Sequence, residues 1–335
     1  MGLTRRLAAL GAWSLAILLF NGSASHAHVK WFAPYDVQSD PVPLDAIRGV
    51  PFAIMTAAIM VLFLTFVIVE QTRLKHQATW ILDRLFTPFH DRLDDMMRAG
   101  TAAFLICLWV LGGVLLTPEL TTDKPWIPWL QAGLALCLFW RDGLPTTAAG
   151  IVFLWAFAAK QYGLFHLLDY PIFLGIAIYL VVCAFPDSPA YRHRFDILRW
   201  GAAITLMWAS VEKVAYPDWA YPVLERMPFL TLGLSNLNFM YLAGIAEFVL
   251  AFALVWTPLA RRLSALLLAI IFTAAIIPFG KIDAVGHLMI ILILITIAAD
   301  RRPVAIPKPS LTTVPAAGAG LTFFFAIYYG AQAYL

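Results

Sequence analysis

A few side chains late in the chain combine proton chemistry with unusual placement. Glu247 sits well inside an apolar run, about ten residues or roughly 15 Å along a helix. A charged group at that depth costs at least about 2.5–3.5 kcal/mol in a bilayer. It therefore needs a partner or a proton. Glu212 and Lys213 close the preceding apolar run, and Thr205, Trp208 and Glu212 recur at helical spacing. Asp283 and His287 are four apart, so they share a helix face, and Lys281 stands in the same turn. Carboxylates and imidazoles exchange protons, and burial sets their affinity for them. The candidate proton-exchanging residues are therefore Glu247, His287 and Glu212. Lys213, Trp208, Asp283 and Lys281 are candidate ligand-binding residues, and the aromatic stretch 216–229 is a candidate wall. The plainer reading has Glu212, Lys213, Lys281 and Asp283 snorkelling to the membrane interface and His287 hydrogen-bonded between helices. Glu247 is too deep to snorkel easily.

A second group lies near the start. Arg5 and Arg6 precede a short apolar stretch, 7–20, and a small-residue segment, 21–27. This is the pattern of an export signal over residues 1–27. Cleavage after Ser25 or after Ala27 leaves His26 or His28 as the N-terminus. The amine and ring of such a histidine chelate copper, for which neutral nitrogen ligands are suited. A complete site needs a further ligand, which the sequence does not place.

The rest of the chain must position these groups. Of 335 residues, 61% are hydrophobic and 13% charged, against about 25% charged in a soluble protein. The apolar runs have helical rather than strand character, which argues against a membrane β-barrel. They predict an all-α polytopic membrane protein with about ten spans: 50–69, 100–116, 127–140, 146–161, 167–185, 200–214, 237–256, 263–279, 284–298 and 318–334. Lys and Arg favour the cytoplasmic side. Residues such as Arg73, Arg98, Arg141, Arg199, Arg261 and Arg301 occupy one set of loops about twice as densely as the other. That bias predicts a bacterial inner-membrane protein with both mature termini exported. Residues 74–97 read as an amphipathic helix on the cytoplasmic face. Residues 303–309 read as a stiff proline-rich linker. The basic residues form no concentrated patch suited to nucleic acid. Cys107, Cys137 and Cys183 lie in apolar runs without a CxxC pair, so neither a disulfide framework nor a thiol relay is expected.

The middle of the chain reads as a tandem repeat. Arg98-Ala99-Gly100-Thr101-Ala102 matches Arg199-Trp200-Gly201-Ala202-Ala203. Ala132-Gly133-Leu134-Ala135 matches Ala243-Gly244-Ile245-Ala246, and Tyr162-Gly163 matches Phe279-Gly280. The expected organisation has five parts. After the signal, 28–98 holds an exported segment, a first span and the amphipathic piece. Residues 99–186 form a first four-helix unit and 187–300 a second. Residues 301–335 hold the linker and a last span. The first unit is expected to be apolar and degenerate, with Leu111, Gly112, Leu136 and Tyr170 opposite Glu212, Lys213, Glu247 and His287.

The second unit resembles the DoxX-like membrane proteins. The resemblance rests on Trp208-Ala209-Ser210-Val211-Glu212-Lys213, on Gly244-Ile245-Ala246-Glu247, and on the segment from Phe279-Gly280-Lys281 through Asp283 to Gly286-His287. It covers about a third of the chain. It implies a four-helix bundle, and the DoxD-type members imply quinone-coupled sulfur oxidation. The leading expectation is a redox-associated membrane subunit that binds a quinone near the exported face, working with a redox enzyme or another membrane subunit. Copper handling or transport through the N-terminal histidine is the second. A scaffold subunit without chemistry of its own is the third.

Overall fold

The computed structural model describes residues 39–302 and 312–335. The signal segment, His26, His28 and the 303–309 linker lie outside them. Among the described residues the chain is all-helical, 82% helix without a strand, as the apolar runs predict.

Eleven longer helices carry the architecture. They are α1 (Val50–Glu70), α2 (Leu74–Phe86), α3 (Leu93–Leu111), α4 (Trp126–Cys137), α5 (Leu144–Tyr162), α6 (Pro171–Ala184), α7 (Arg194–Ala215), α8 (Asn236–Leu254), α9 (Pro258–Phe279), α10 (Lys281–Ala299) and α11 (Thr313–Tyr334). Each of the ten expected spans falls on one of these. Five, namely α1, α8, α9, α10 and α11, are long and apolar enough to cross a membrane. That makes this a membrane protein by length and composition of its helices. The expected ten is not matched at this level. Helix α4 has 12 residues and α6 has 14, or about 18–21 Å of helix against a hydrocarbon core of about 30 Å. Helices α3, α5 and α7 have the length but not the uninterrupted apolar composition. Helix α6 is shortened because Pro171 begins it, and the residue before a proline avoids helical geometry.

The 74–97 segment divides differently from the expectation. Helix α2 ends at Phe86, a 3-10 turn spans Thr87–Arg92, and Leu93, Met96 and Met97 belong to α3. Pro88 lies in the turn, where its missing N–H and fixed φ interrupt an α-helical ladder. Helix α2 buries Leu82 and Phe86 and exposes Trp80, Ile81 and Leu85.

Helices α3 to α6 pack in chain order, as do α7 to α10. The first helix of each set also packs on the last helix of the other, α3 on α10 and α7 on α6. The matched glycines sit at those crossings. A Cβ on Gly100 would lie 2.2 Å from Leu292 Cδ1 of α10, and one on Gly201 would lie 3.3 Å from Gly175 Cα of α6. Small residues at a crossing let helix backbones approach closely. Helix α1 packs on α8 and α9, and α11 on α7.

One end of the bundle is arginine-rich and tied by ion pairs. Asp94 of α3 takes both nitrogen edges of Arg194 of α7 at 2.9 Å, and the hydroxyls of Tyr179 and Tyr191 donate to it at 2.8 and 3.2 Å. Such bidentate charge-assisted pairs are the stronger kind. Asp83 of α2 accepts from Arg262 of α9 at 2.8 Å and meets Arg301 at 3.1 Å. The buried Glu70 at the end of α1 accepts from the Thr257 hydroxyl and, at 2.9 Å, from the Leu259 amide. It thereby caps the N-terminus of α9, where unbonded amides and the helix dipole favour a carboxylate.

Candidate functional site

The cavity opens at the other end, where α7 finishes and α10 begins. Its making starts with Gly244. A Cβ there would stand 2.8 Å from the Ser210 carbonyl and 2.7 Å from Val214 Cγ2. The absence of one lets α8 lie directly on α7. One helical turn along each helix, Lys213 Nζ reaches Glu247 Oε2 at 2.5 Å. Both are largely enclosed, with side-chain exposures of 28% and 14%. The deep acid therefore has a cationic partner on the neighbouring helix. Placing one partner there alone would leave a charge poorly hydrated.

His287 stands on α10, with its ring 4.8 Å from that of Phe272 of α9. Its Nδ1 lies 3.0 Å from Asp283 Oδ2, one turn earlier. When Asp283 is ionised it accepts from Nδ1–H, and in the neutral ring Nε2 is then the basic nitrogen. Asp283 is fully buried, and its Oδ1 has no hydrogen-bond partner among the described residues. A buried acceptor left in that state is costly.

Glu212, Lys213, Glu247 and His287 line one cavity of about 160 Å³. Most of its wall is apolar, with Leu206, Phe173, Met240, Met289 and Ile290 among the contributors. Tyr216 and Trp219, stacked at 4.1 Å, cover it from the loop after α7. Three expected ligand-binding residues do not reach it. Trp208 is buried behind, against Phe165 and against Tyr328 of α11. Lys281 is exposed at the start of α10. Asp283 acts only through His287.

The first unit, expected to be apolar and degenerate, supplies a polar part of the same wall. Thr117, Glu119, Asp169 and Tyr170 line the cavity. The Tyr170 hydroxyl donates to Glu119. On the same carboxylate, Oε1 lies 3.1 Å from His166 Nε2, both side chains being over nine-tenths buried. The repeat alignment already set Tyr170 opposite His287. Counting tyrosine as apolar hid its hydroxyl. Glu119 lies in the connection after α3 and had no matching motif, so nothing in the sequence pointed to it.

The arrangement offers carboxylates, an imidazole, a phenol and an ammonium around an apolar slot. An apolar cavity of about 150 Å³ can hold benzene, so the space suits a single ring with polar substituents. Among the described residues no group of three or more His, Cys, Asp or Glu is placed to hold a metal ion. All three cysteines are unbridged. No protein-family model, curated protein or solved structure matches the chain.

Proposed function

We propose that this chain is a ten-span protein of the bacterial inner membrane whose two tandem four-helix units enclose a quinone-type ring near the exported face. The observation that carries the reading is the shared cavity of Glu212, Lys213, Glu247 and His287, polar at a few points and apolar elsewhere. Small-molecule sites combine an apolar lining with a few fixed polar groups in this way. The duplicated helix order and the matched glycines at the α3–α10 and α6–α7 crossings support the tandem reading. The short helices α4 and α6 then span where the protein locally thins the bilayer, which costs only fractions of a kcal/mol per Å of mismatch.

A bound quinone would supply proton-coupled redox chemistry. The chain's own residues bind, orient and exchange protons. His287, held by Asp283, presents a basic nitrogen. The Lys213–Glu247 pair gives a donor and an acceptor next to one another, and Glu212 adds an acceptor. Tyr216 and Trp219 limit access of water to the slot.

Gentle extraction of the full chain, followed by mass analysis of bound lipid, quinone and metal, tests this. Copurified quinone in proportion to protein supports the reading. Stoichiometric copper with no quinone favours metal handling through His26 or His28. Neither, together with stable association to another membrane subunit, favours the scaffold.

A further inference from the structure

We infer that the arginine-rich end of the bundle binds a phosphate group through Arg261 of α9 and Arg199 of α7. This site is separate from the cavity at the other end and does not rest on the ring-binding reading.

The inference starts from Arg261. It is the largest of the fully buried side chains among the described residues, 1% exposed. Its one hydrogen bond runs from Nη2 to the Asp300 carbonyl at 3.0 Å. Its Nε and Nη1 have no hydrogen-bond partner among the described residues. A guanidinium carries five N–H bonds and stays charged at ordinary pH, so it cannot shed a proton to ease its burial. Buried charges are otherwise paired.

The neighbouring carboxylates are taken. Asp300 holds Arg302 through both oxygens, at 2.8 and 3.0 Å. Asp196 pairs with Arg199 at 2.9 Å and also meets His193. Asp83 pairs with Arg262 at 2.8 Å and with Arg301 at 3.1 Å. Glu70 accepts from the Thr257 hydroxyl and the Leu259 amide. Of these five arginines, Arg261 is the one without a carboxylate among the described residues.

Its surroundings add positive potential. The charges of Arg199 and Arg262 act on it, and both side chains are buried, at 4% exposure. Each leaves a guanidinium nitrogen without a partner among the described residues, Nε of Arg199 and Nη2 of Arg262. Arg261 and Arg262 also stand near the start of α9, the positive end of its dipole. A tetrahedral oxyanion answers these features together. It offers several acceptor oxygens to N–H groups from two helices, and it brings negative charge to the uncompensated cation. Arg301 and Arg302, 34% and 30% exposed, give the cluster its accessible side. Basic pockets between spanning helices hold the headgroups of anionic lipids, and free phosphate presents the same oxygens.

Thermal unfolding of the full chain, delipidated in an uncharged detergent, tests this. The probes are phosphatidylglycerol and inorganic phosphate. The controls are diacylglycerol, which lacks the phosphate, and sodium chloride at matched ionic strength. At least one probe should raise the melting temperature saturably, and neither control should. A rise with inorganic phosphate to which the lipid adds nothing marks free phosphate, and a rise that needs the lipid marks a headgroup. Arg261→Gln keeps a donor for the Asp300 carbonyl and removes the charge. It should raise the concentration at half effect about tenfold, as should Arg199→Gln. Arg73→Gln, at an exposed arginine before α2, should change it less than twofold. No saturable rise with either probe, or a rise unchanged in Arg261→Gln, overturns the site. If Arg261→Gln does not fold, Arg199→Gln decides by the same criterion.

Discussion

Lys213 of α7 and Glu247 of α8 meet at 2.5 Å one turn beyond the place where Gly244 rests on the Ser210 carbonyl. The ion pair and the close helix crossing are one feature. The ammonium reaches the carboxylate because the backbones are close, and the backbones are close because Gly244 has no side chain.

Gly244→Ala should destabilise the protein by about 1–3 kcal/mol, the usual cost of forcing atoms into a packed contact. The new methyl meets a backbone oxygen, which cannot rotate away. The matched position in the first unit is the control. A Cβ at Gly133 meets nothing within 4 Å, so Gly133→Ala should be neutral or stabilising by up to about 1 kcal/mol through helix propensity. Thermal unfolding in detergent compares them. Equal melting temperatures for the two variants would contradict the crossing described.

The Lys213–Glu247 pair should show coupling in a double-mutant cycle. Lys213→Met and Glu247→Leu each strand one charge, whereas the double variant removes both. A coupling of about 0.5–3 kcal/mol is the range for residues in contact. The pair is partly accessible, so a value near the middle is expected. Additive losses would mean that the two do not pair in the protein in solution. Glu247→Gln should retain the fold and lose affinity for the cavity ligand. A variant that lost stability with unchanged ligand binding would make Glu247 a structural group.

Asp94→Asn should loosen the arginine-rich end. The substitution keeps size and shape but discards the charge that Arg194, Tyr179 and Tyr191 share. A loss of about 1–3 kcal/mol follows from leaving Arg194 without its carboxylate, with the lower part of the range favoured because Asp94 is 32% exposed. Hydrogen exchange should speed up in α3 and at the start of α7 and leave the cavity end unchanged. Uniform acceleration through all helices would show that the two ends are not independent.

The proposed topology returns the C-terminus to the exported side. A C-terminal alkaline phosphatase fusion should then be active and a C-terminal fluorescent fusion dark. A bright fluorescent fusion would require an odd number of spans or the opposite orientation, and would remove the link between the cavity and the exported face.

Processing should leave His26 or His28 first. N-terminal sequencing of the membrane-purified chain reads this directly. A histidine start with roughly stoichiometric copper after reconstitution supports metal binding by the free amine and ring. An intact Met1 excludes that chelate.

The sequence by itself determined that the chain is helical and suited to a membrane, because a charged fraction so low cannot cover a water-facing surface. It located a helix end to within a residue or two where a glycine closed the apolar run, as at Gly163 and Gly280. It also marked Glu247, Glu212, Lys213 and His287 as a group, since ionisable residues in apolar runs are costly whatever surrounds them. Three matters needed the tertiary structure. The length of α6 depended on Pro171 breaking what hydropathy alone joined into one run. The displacement of Trp208 behind the cavity and of Lys281 outside it depended on which face of each helix meets a neighbour, and adjacency in sequence does not fix that. The part played by Glu119 and His166 depended on the connection after α3 folding back beside the break between α5 and α6. A hydrogen bond forms between atoms a few ångströms apart, and Tyr170 and Glu119, 51 positions apart in the chain, are brought to that distance only by how the helices pack.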